Sequence, residues 1–264
     1  MVAKESKLAE KERFLSVTMS EHTGAYAPKG VRLYAVGDIH GRLDLLDRML
    51  DLIASDKSAR QELPAVLVFL GDYIDRGPNS KGTVSRLIEG LPADVTPVFL
   101  KGNHEDFLLA FLDRPGFGLN WLHNGGDMAL LSYGVDMQVI QNAYWDPSGL
   151  AEAATALREL MPADHLQFYR ALQLSYRAGD YFFTHAGVRP GVPLEYQKEA
   201  DLIWIRDEFL RYPHDFGAVV VHGHTPVRRP EDLHNRIGID TLAFHTGRLT
   251  ALGLEGNRRW FLST

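Results

Sequence analysis

The sequence contains no cysteine among its 264 residues. Disulfides and thiolate metal ligands are therefore excluded, and any metal has to be held by His, Asp, Glu or Asn. Basic residues are also in short supply, since 28 Lys and Arg face 34 Asp and Glu for a formal net charge of −6. Because a general grip on nucleic acid comes from clustered cations that meet phosphates, we expect no nucleic-acid partner.

Long apolar runs are missing as well. The first 28 residues mix charges with few apolar positions and contain no h-region of a secretory signal, and no later stretch is long enough to span a membrane. We therefore expect a cytoplasmic protein with no membrane partner. Residues 1–28 are expected to form a polar tail, either loose or as a short surface helix, and residues 29–264 a single domain.

Three short apolar runs in the first half of the chain are typical of buried strands. They span Val31–Val36, Ala65–Leu70 and Val95–Leu100, and a Gly and a polar residue follow each of them closely. Between the first two, the apolar positions of Leu43–Ile53 recur at helical spacing. This alternation of strand and helix predicts right-handed crossovers and a parallel sheet.

Helical spacing then dominates residues 107–173, which we interpret as a cap segment. Strand patterns return further on, in the runs Tyr181–Thr184, Ala218–Val221, Arg236–Asp240, Leu249–Leu254 and Trp260–Leu262. These runs predict a second, more antiparallel sheet. The expected fold class is α/β, with a two-sheet β-sandwich core of mixed strands flanked by helices.

Polar and ionisable residues gather where five of these runs end. The groups are Gly37-Asp-Ile-His-Gly41, Gly71-Asp-Tyr-Ile-Asp-Arg-Gly77, Gly102-Asn-His-Glu105, His185-Ala-Gly187 and His222-Gly-His224. A turn or a helix cap would explain any one of them alone. Together they indicate one shared site, whose oxygen and imidazole donors suit two divalent ions bridged by a carboxylate.

The charge of such a site favours a phosphate substrate. Two divalent ions, the carboxylates of Asp38 and Asp72, neutral imidazoles, the neutral Asn103 and one hydroxide leave a net positive centre. Arg76 strengthens this interpretation because a guanidinium can bind two phosphate oxygens at once. An exposed salt bridge would explain Arg76 equally well if it stood alone.

In order and spacing, these motifs resemble the signature of the PPP-type phosphoprotein phosphatases, and the chain is similar to bacterial members often labelled serine/threonine phosphatases. The similarity runs from about position 31 to 226 and implies the calcineurin-like metallophosphoesterase fold. It implies two divalent metal ions, manganese with iron or zinc as alternatives. The implied ligands are Asp38 and His40 for the first ion, Asp72 as the bridge, and Asn103, His185 and His224 for the second.

The resemblance also implies roles beside the metals. His104 would be the general acid that protonates the departing alkoxide, and Asp75 would hold its imidazole in the correct orientation. Arg76, Asn103 and Arg206 would bind the phosphate of the substrate.

Two positions sit awkwardly in this pattern. Lys101 occupies a place where many relatives have Arg, so it keeps the charge and loses the planar fork. His222 precedes His224 by two residues, and on a strand both would face the same way, so either could be the ligand. The match of Gly-His-Thr to the family signature favours His224.

The expected reaction is direct hydrolysis, in which a metal-bridging hydroxide attacks phosphorus and no phosphoenzyme forms. The leading function is a serine/threonine phosphoprotein phosphatase, and the alternative is a symmetrical diadenosine tetraphosphate hydrolase. A third interpretation is an inactive phosphate-binding regulatory protein that kept the fold. The expected partner is a phosphorylated protein or a small phosphoester, and the oligomeric state is left open.

Overall fold

Two mixed β-sheets form the centre of the computed structural model, which describes residues 19–21 and 24–264. The first sheet contains β1 (Met19–Glu21), β2 (Arg32–Val36), β3 (Ala65–Phe69), β4 (Val95–Phe99), β10 (Thr250–Glu255) and β11 (Arg258–Ser263). The second contains β5 (Ser175–Ala178), β6 (Tyr181–Thr184), β7 (Val219–His222), β8 (Glu231–Asp232) and β9 (Arg236–Gly238). Their strand orders are β1-β11-β10-β2-β3-β4 and β5-β6-β7-β9-β8.

The parallel part of the first sheet confirms the predicted alternation of strand and helix. Helices α1 (Leu43–Ser58) and α2 (Ser80–Glu89) connect β2 to β3 and β3 to β4, and both strand pairs are parallel. Since the carboxyl ends of parallel strands meet at one edge of a sheet, the loops that follow the three strands converge there. This edge carries the first three polar groups found in the sequence.

The last two strands do not join the sheet predicted for them. Strands β10 and β11 form a hairpin across Gly256 and Asn257, and β10 pairs antiparallel with β2 in the first sheet. The second sheet is in turn parallel at its centre, from β6 through β7 to β9. The reason lies in burial: Leu252 faces the core between the sheets and Ala251 faces the helices, so this strand needs cover on both sides. Apolar alternation identifies such a strand but not its partner.

Alternate side chains of each central strand divide the molecule into two main cores. Leu33 and Ala35 of β2 point into the core between the sheets. Tyr34 and Val36 point into the core under the helices, where they join cap residues such as Leu130. Because successive side chains of a strand point to opposite faces of the sheet, each central strand contributes to both cores.

The segment 107–173 is helical, as predicted. It contains most of α3 (Asn103–Asp113), then α4 (Gly118–Trp121), a π-helical turn (Leu122–Gly126), α5 (Asp127–Tyr133), α6 (Met137–Ala143), α7 (Pro147–Leu160) and α8 (Ala163–Ala171), with a 3₁₀ turn at Pro115–Phe117. Further along lie a 3₁₀ turn at Leu194–Tyr196 and the short helices α9 (Glu199–Trp204), α10 (Asp207–Leu210) and α11 (Ala243–Thr246). Sequence chemistry sets the start of α7, where Asp146 caps Ser148 and Pro147 occupies the first turn.

The polar tail expected at residues 1–28 falls mostly outside the described residues. Within that range, Met19–Glu21 pairs antiparallel with β11, and Ala25 and Ala27 are buried between the sheets. The described part of the range is therefore packed on the domain. Among residues 19–21 and 24–264, no helix is both long and apolar enough to cross a membrane. A cytoplasmic location stays a prediction.

Candidate metal centre

The backbone at the converging loops is strained. Six described residues other than glycine have a positive φ, and five of them belong to the motifs: His40 (47°), Asp72 (52°), Asp75 (72°), Arg76 (65°) and His224 (61°). An L-residue in this region costs free energy and persists only where its surroundings hold it. Hydrogen bonds between loops supply that hold, for example from the His40 amide to the Asp72 carbonyl at 2.8 Å.

Two motif glycines allow these loops to touch. A Cβ on Gly77 would lie 2.0 Å from the carbonyl oxygen of His40, and one on Gly102 would lie 2.2 Å from Asp72 Oδ1. No side chain fits at either place. The glycines therefore bring the loops that carry Asp38, Asp72 and Asn103 into direct contact.

The buried carboxylate of Glu105 ties two of these loops together. It accepts hydrogen bonds from the backbone amides of Asp72 (2.9 Å), Tyr73 (2.8 Å) and Gly102 (3.0 Å). Burial and the charge of Asp72 raise the pKa of Glu105 to about 8, against the effect of the backbone donors. Sequence reasoning assigned Glu105 no role, although its place as an acid in the first turn of a helix was visible.

One cluster of donor atoms lies around Oδ1 of Asp72. His185 Nε2 is 3.4 Å from this oxygen, 3.0 Å from Asn103 Oδ1 and 3.2 Å from His224 Nδ1. All four side chains are buried. The structure thus brings together the residues expected to complete the second metal site.

A second cluster lies around Oδ2 of the same carboxylate. His40 Nε2 is 3.6 Å and His104 Nε2 is 3.8 Å from Asp72 Oδ2. In each cluster, the ligand atoms of Asp72 and two histidines lie within 4.8 Å of one another. Asp72 is therefore shared by both clusters, as expected of a bridging ligand. Geometry alone would also allow His104 to be a ligand.

Asp38 lies beside these clusters. The amide of His224 donates to its carboxylate at 3.1 Å, and a Cβ on Gly223 would be 2.0 Å from Asp38 Oδ1. Burial, followed by the charges of Asp240 and Asp72, raises the pKa of Asp38 well above its usual range. Three buried carboxyl groups thus lie close together, and the charge of Arg76 only partly offsets the raised pKa values of Asp38 and Asp240.

The tautomers of two histidines suit metal binding. His40 Nδ1 donates to the Ile74 carbonyl and His185 Nδ1 to the Leu70 carbonyl, each at 2.9 Å. This arrangement leaves the lone pair of Nε2 facing Asp72 in both rings. At His185, a lone pair and the oxygens of Asp72 and Asn103 converge and repel each other unless a cation lies there. At His40, Arg76 faces the lone pair. The donor set therefore fits divalent ions.

The pKa values of the histidines agree with this interpretation. Burial lowers the pKa of His185, and burial with the neighbouring His185 lowers that of His224 to about 2. Burial and the charge of His104 lower the pKa of His40. Interactions with the neighbouring histidines, His185 first and then His104, hold the pKa of Asp72 below its usual range even though burial alone would raise it. Neutral imidazoles and an ionised carboxylate are the forms that bind metal.

His104 differs from the other histidines because its second nitrogen meets a carboxylate. His104 Nδ1 lies 2.6 Å from Asp75 Oδ2, and Trp121 Nε1 donates to the same oxygen at 2.7 Å. Burial lowers the pKa of His104, but Asp72 and Asp75 outweigh it, so the net pKa is raised. A protonated, oriented imidazole is what a general acid requires. No motif in the sequence marks Trp121 for this contact.

Arg76 lies against the cluster around Asp72 Oδ2. Its Nη1 is 3.0 Å from His40 Nε2 and its Nη2 is 3.0 Å from His104 Nε2. The guanidinium also lies 5.0 Å above the ring of Phe244, which itself packs edge-on against His40. The two guanidinium nitrogens therefore face the site. They form no surface salt bridge, because their contacts are to His40 and His104 and not to a carboxylate.

The remaining predicted residues divide into two kinds. Arg206 lies at the site, with Nη1 3.3 Å from the His224 carbonyl and 3.3 Å from Thr225 Oγ1. Lys101 instead pairs with Asp106 and Glu199, at 2.6 and 2.8 Å, so its charge is already neutralised. Lys101, which also lacks the planar fork of Arg, therefore offers no free cation to a phosphate.

His222 does not take the place of His224. Its ring packs edge-on against Phe209, its Nδ1 donates to the Gly223 carbonyl at 3.0 Å, and its Nε2 lies 3.5 Å from Arg236 Nη1. Burial lowers its pKa to about 3. The structure therefore places His224, and not His222, in the cluster.

Asp240 is a further site residue that the sequence did not single out. Its Oδ1 accepts from the amide of Leu242 at 2.9 Å, and burial raises its pKa to about 6. It was read only as the end of a strand, and no motif marks it. The signal that could have found it is an acid at the carboxyl end of a buried strand, as at Asp38.

Comparisons with known proteins agree with this geometry. A family model described as calcineurin-like phosphoesterase matches residues 31–251. A serine/threonine-protein phosphatase 1 of Salmonella typhimurium is 30% identical over 228 residues, which cover 84% of this chain and 92% of that protein. The asymmetrical bis(5'-nucleosyl)-tetraphosphatase PrpE of Halalkalibacterium halodurans is 26% identical over 236 residues, 82% of this chain and 87% of that protein.

Solved structures show the same fold. A crystal structure described as a candidate diadenosine tetraphosphatase has a TM-score of 0.59 at 23% identity and covers 90% of this chain and 98% of its own. A cold-active protein tyrosine phosphatase has a TM-score of 0.58 at 18% identity, covering 90% and 78%. Fold and family match together define a phosphoester hydrolase. The chain belongs to the calcineurin-like phosphoesterase family.

Proposed function

We propose that this protein is a serine/threonine phosphoprotein phosphatase that transfers the phosphoryl group directly to water. The observation that carries the proposal is the buried pair of His104 and Asp75 beside the two clusters on Asp72. An alkoxide that leaves phosphoserine or phosphothreonine is a strong base and needs a proton. A nucleotide that leaves a polyphosphate is a weak base and does not. A general acid that is already held in place therefore favours an alkyl phosphate as the substrate.

The proposal includes two divalent ions. Asp38, His40 and Asp72 would hold one, and Asp72, Asn103, His185 and His224 would hold the other. When bound, such ions polarise phosphoryl oxygens and activate water as the nucleophile. Manganese is the proposed metal, with iron or zinc as alternatives, because imidazole, carboxylate and amide donors without thiolate suit these ions.

The other residues act on the phosphate and on the leaving group. The fork of Arg76 can move from the rings of His40 and His104 to two phosphate oxygens, so that the guanidinium meets anionic acceptors. Arg206 and Asn103 would bind further oxygens from the opposite side. His104 would give the proton on Nε2 to the departing oxygen, and Asp75 on Nδ1 would stabilise the imidazolium until then.

A second candidate is the hydrolysis of diadenosine tetraphosphate. The relative from Halalkalibacterium halodurans favours it, and so does Trp204, whose partly exposed indole packs edge-on against His224. An exposed aromatic ring can stack on a nucleobase. That relative is described as asymmetrical, whereas the alternative function drawn from the sequence was a symmetrical cut into two ADP molecules.

One panel tests these proposals. Metal-stripped protein is reconstituted with manganese, zinc, iron or magnesium and offered phosphothreonine and phosphoserine peptides, diadenosine tetraphosphate, a cyclic nucleotide and an aryl phosphate. Asp38→Ala is the control for contaminating phosphatases. We expect the fastest release of phosphate from the peptides. Activity restricted to the dinucleotide would favour the second candidate, and its products would give the position of the cut. A metal-free and inactive protein would leave only a regulatory, phosphate-binding role.

A further inference from the structure

The indole N–H of Trp121 reaches the catalytic pair from the cap. Trp121 Nε1 lies 2.7 Å and His104 Nδ1 lies 2.6 Å from the same oxygen of Asp75. Trp121 and Asp75 are both buried, at 1% and 0% exposure. An indole can only donate, so the contact is a hydrogen bond to the carboxylate. The reaction proposed above gives this residue no part.

We propose that Trp121 is a positioning residue: it holds Asp75 in the orientation that aims His104 at the leaving group, and it thereby makes the cap part of the catalytic machinery. The inference rests on the proposed function, because it assigns a consequence to the general acid. It adds a specificity element, since the effect concerns only substrates whose leaving group needs a proton.

Asp75 needs this support because little else fixes its carboxylate. Its backbone is in the left-handed region at φ 72°, with the amide held by Ser80 Oγ at 3.0 Å. Its Oδ1 has no hydrogen-bond partner among the described residues. The two donors on Oδ2 therefore determine how the carboxylate is turned. Loss of the indole leaves His104 as its only side-chain partner there.

The turn that follows Trp121 holds the neighbouring Arg76 in the same way. The amide of Arg76 donates to the Gly125 carbonyl at 3.1 Å, and its Nε donates to the Asn124 carbonyl at 3.4 Å. A Cβ on Gly125 would lie 2.7 Å from Arg76 Cγ, and one on Gly126 would lie 2.5 Å from the Trp121 ring. Because neither glycine has a side chain, the π-helical turn packs closely against both Arg76 and the ring of Trp121. The turn therefore helps to orient the pair of Asp75 and His104 as well as the guanidinium of Arg76.

The chain contains a matched control for this contact. Trp260 is fully buried and donates from Nε1 to Asp56 Oδ2 at 3.1 Å. It packs against Tyr34 and Arg60, away from the metal clusters. Trp260→Phe and Trp121→Phe each remove an indole bond to a buried carboxylate and keep an aromatic ring. Only one of the two carboxylates touches His104.

The kinetic test compares two substrates. Trp121→Phe should lower kcat on a phosphothreonine peptide by about 10- to 100-fold, a part of what a general acid contributes, and should change kcat on p-nitrophenyl phosphate much less. Trp260→Phe should show no such difference between substrates. In the background of Asp75→Asn, Trp121→Phe should cause no further selective loss, because both changes act on one path. Equal losses on both esters, or full additivity, would overturn the positioning role.

A second measurement needs no activity. The protein has four tryptophans, so ¹⁵N-labelled, metal-free protein gives four indole N–H signals by NMR, and the one from Trp121 is assigned by its absence in Trp121→Phe. Asp75→Asn should shift this signal, and Asp56→Asn should shift that of Trp260 instead. A Trp121 signal that ignores Asp75→Asn would overturn the inference. A wild-type protein inactive on both esters with every metal would instead overturn the proposed function, and with it the role given to Trp121.

Discussion

Gly77→Ala adds only one methyl group, but we expect it to damage the metal centre because there is no room for that group. The new Cβ would lie 2.0 Å from the carbonyl oxygen of His40 and 3.0 Å from the carbonyl carbon of Gly41. Carbon and oxygen atoms that are not bonded do not approach within 3.0 Å. The two loops must therefore separate by at least about 1 Å, since each contact is backbone and cannot rotate away.

Two consequences of that shift can be given a magnitude. Overpacking a tight site typically costs about 1–3 kcal/mol of the free energy of unfolding. A displacement of about 1 Å in the loop that carries His40 is enough to lower turnover by about 100-fold. Asn103, His185 and His224 of the cluster around Asp72 Oδ1 lie on other loops, so we expect one metal ion to be retained while the affinity for the other falls.

Urea unfolding of the metal-free protein, metal content by mass spectrometry and phosphate release measure these three effects. Gly116→Ala is the matched control, since nothing lies within 4 Å of a Cβ there. If Gly77→Ala matched Gly116→Ala in stability, metal content and activity, the close approach of the loops would not be what shapes the site.

Three further predictions follow from individual side chains. His104→Asn should keep its metal but lose about 10²- to 10⁴-fold in turnover of alkyl phosphates; unchanged turnover, with metal content as the control, would remove His104 from the mechanism. His222→Gln should reduce acid sensitivity, because the folded pKa of about 3 lies below the unfolded value. Stability from this group is therefore present above pH about 6.5 and is lost toward pH 3, by up to about 1.4 kcal/mol per pH unit. Denaturant unfolding between pH 6 and 4 checks this slope against His245→Gln, and equal slopes would contradict it. Asp72→Asn should lower the metal content of the reconstituted protein, since both clusters share that carboxylate; full binding of metal would show that it is not a bridge.

Much of the candidate site could be predicted from the sequence because its residues follow strands. The carboxyl ends of β2, β3 and β4 meet at one edge, so Asp38, Asp72 and Asn103 had to converge once the strands were recognised as parallel. Histidine side chains at the ends of β6 and β7 reach the same place from the second sheet. The alternation of strand and helix predicts that these strands are parallel. It does not predict the neighbour of every strand in the sheet.

Contacts that cross from one element to another were less accessible. The partner of β10 is decided by burial on both of its faces, which a period of two does not report. Trp121 looks like any apolar residue of a helix, because nothing in its neighbourhood reveals that its N–H meets Asp75. Asp240 stands alone at a strand end. In each case, the missing information is tertiary distance.

The most direct test of the account measures metal content and phosphate release in the same sample. Protein stripped of metal and reconstituted with manganese should bind about two ions per chain and release phosphate from a phosphothreonine peptide, with the rate rising as the second ion binds. The stripped protein should release none. Full activity without metal, or saturation at a single ion, would contradict the claim that two clusters around Asp72 form one catalytic centre.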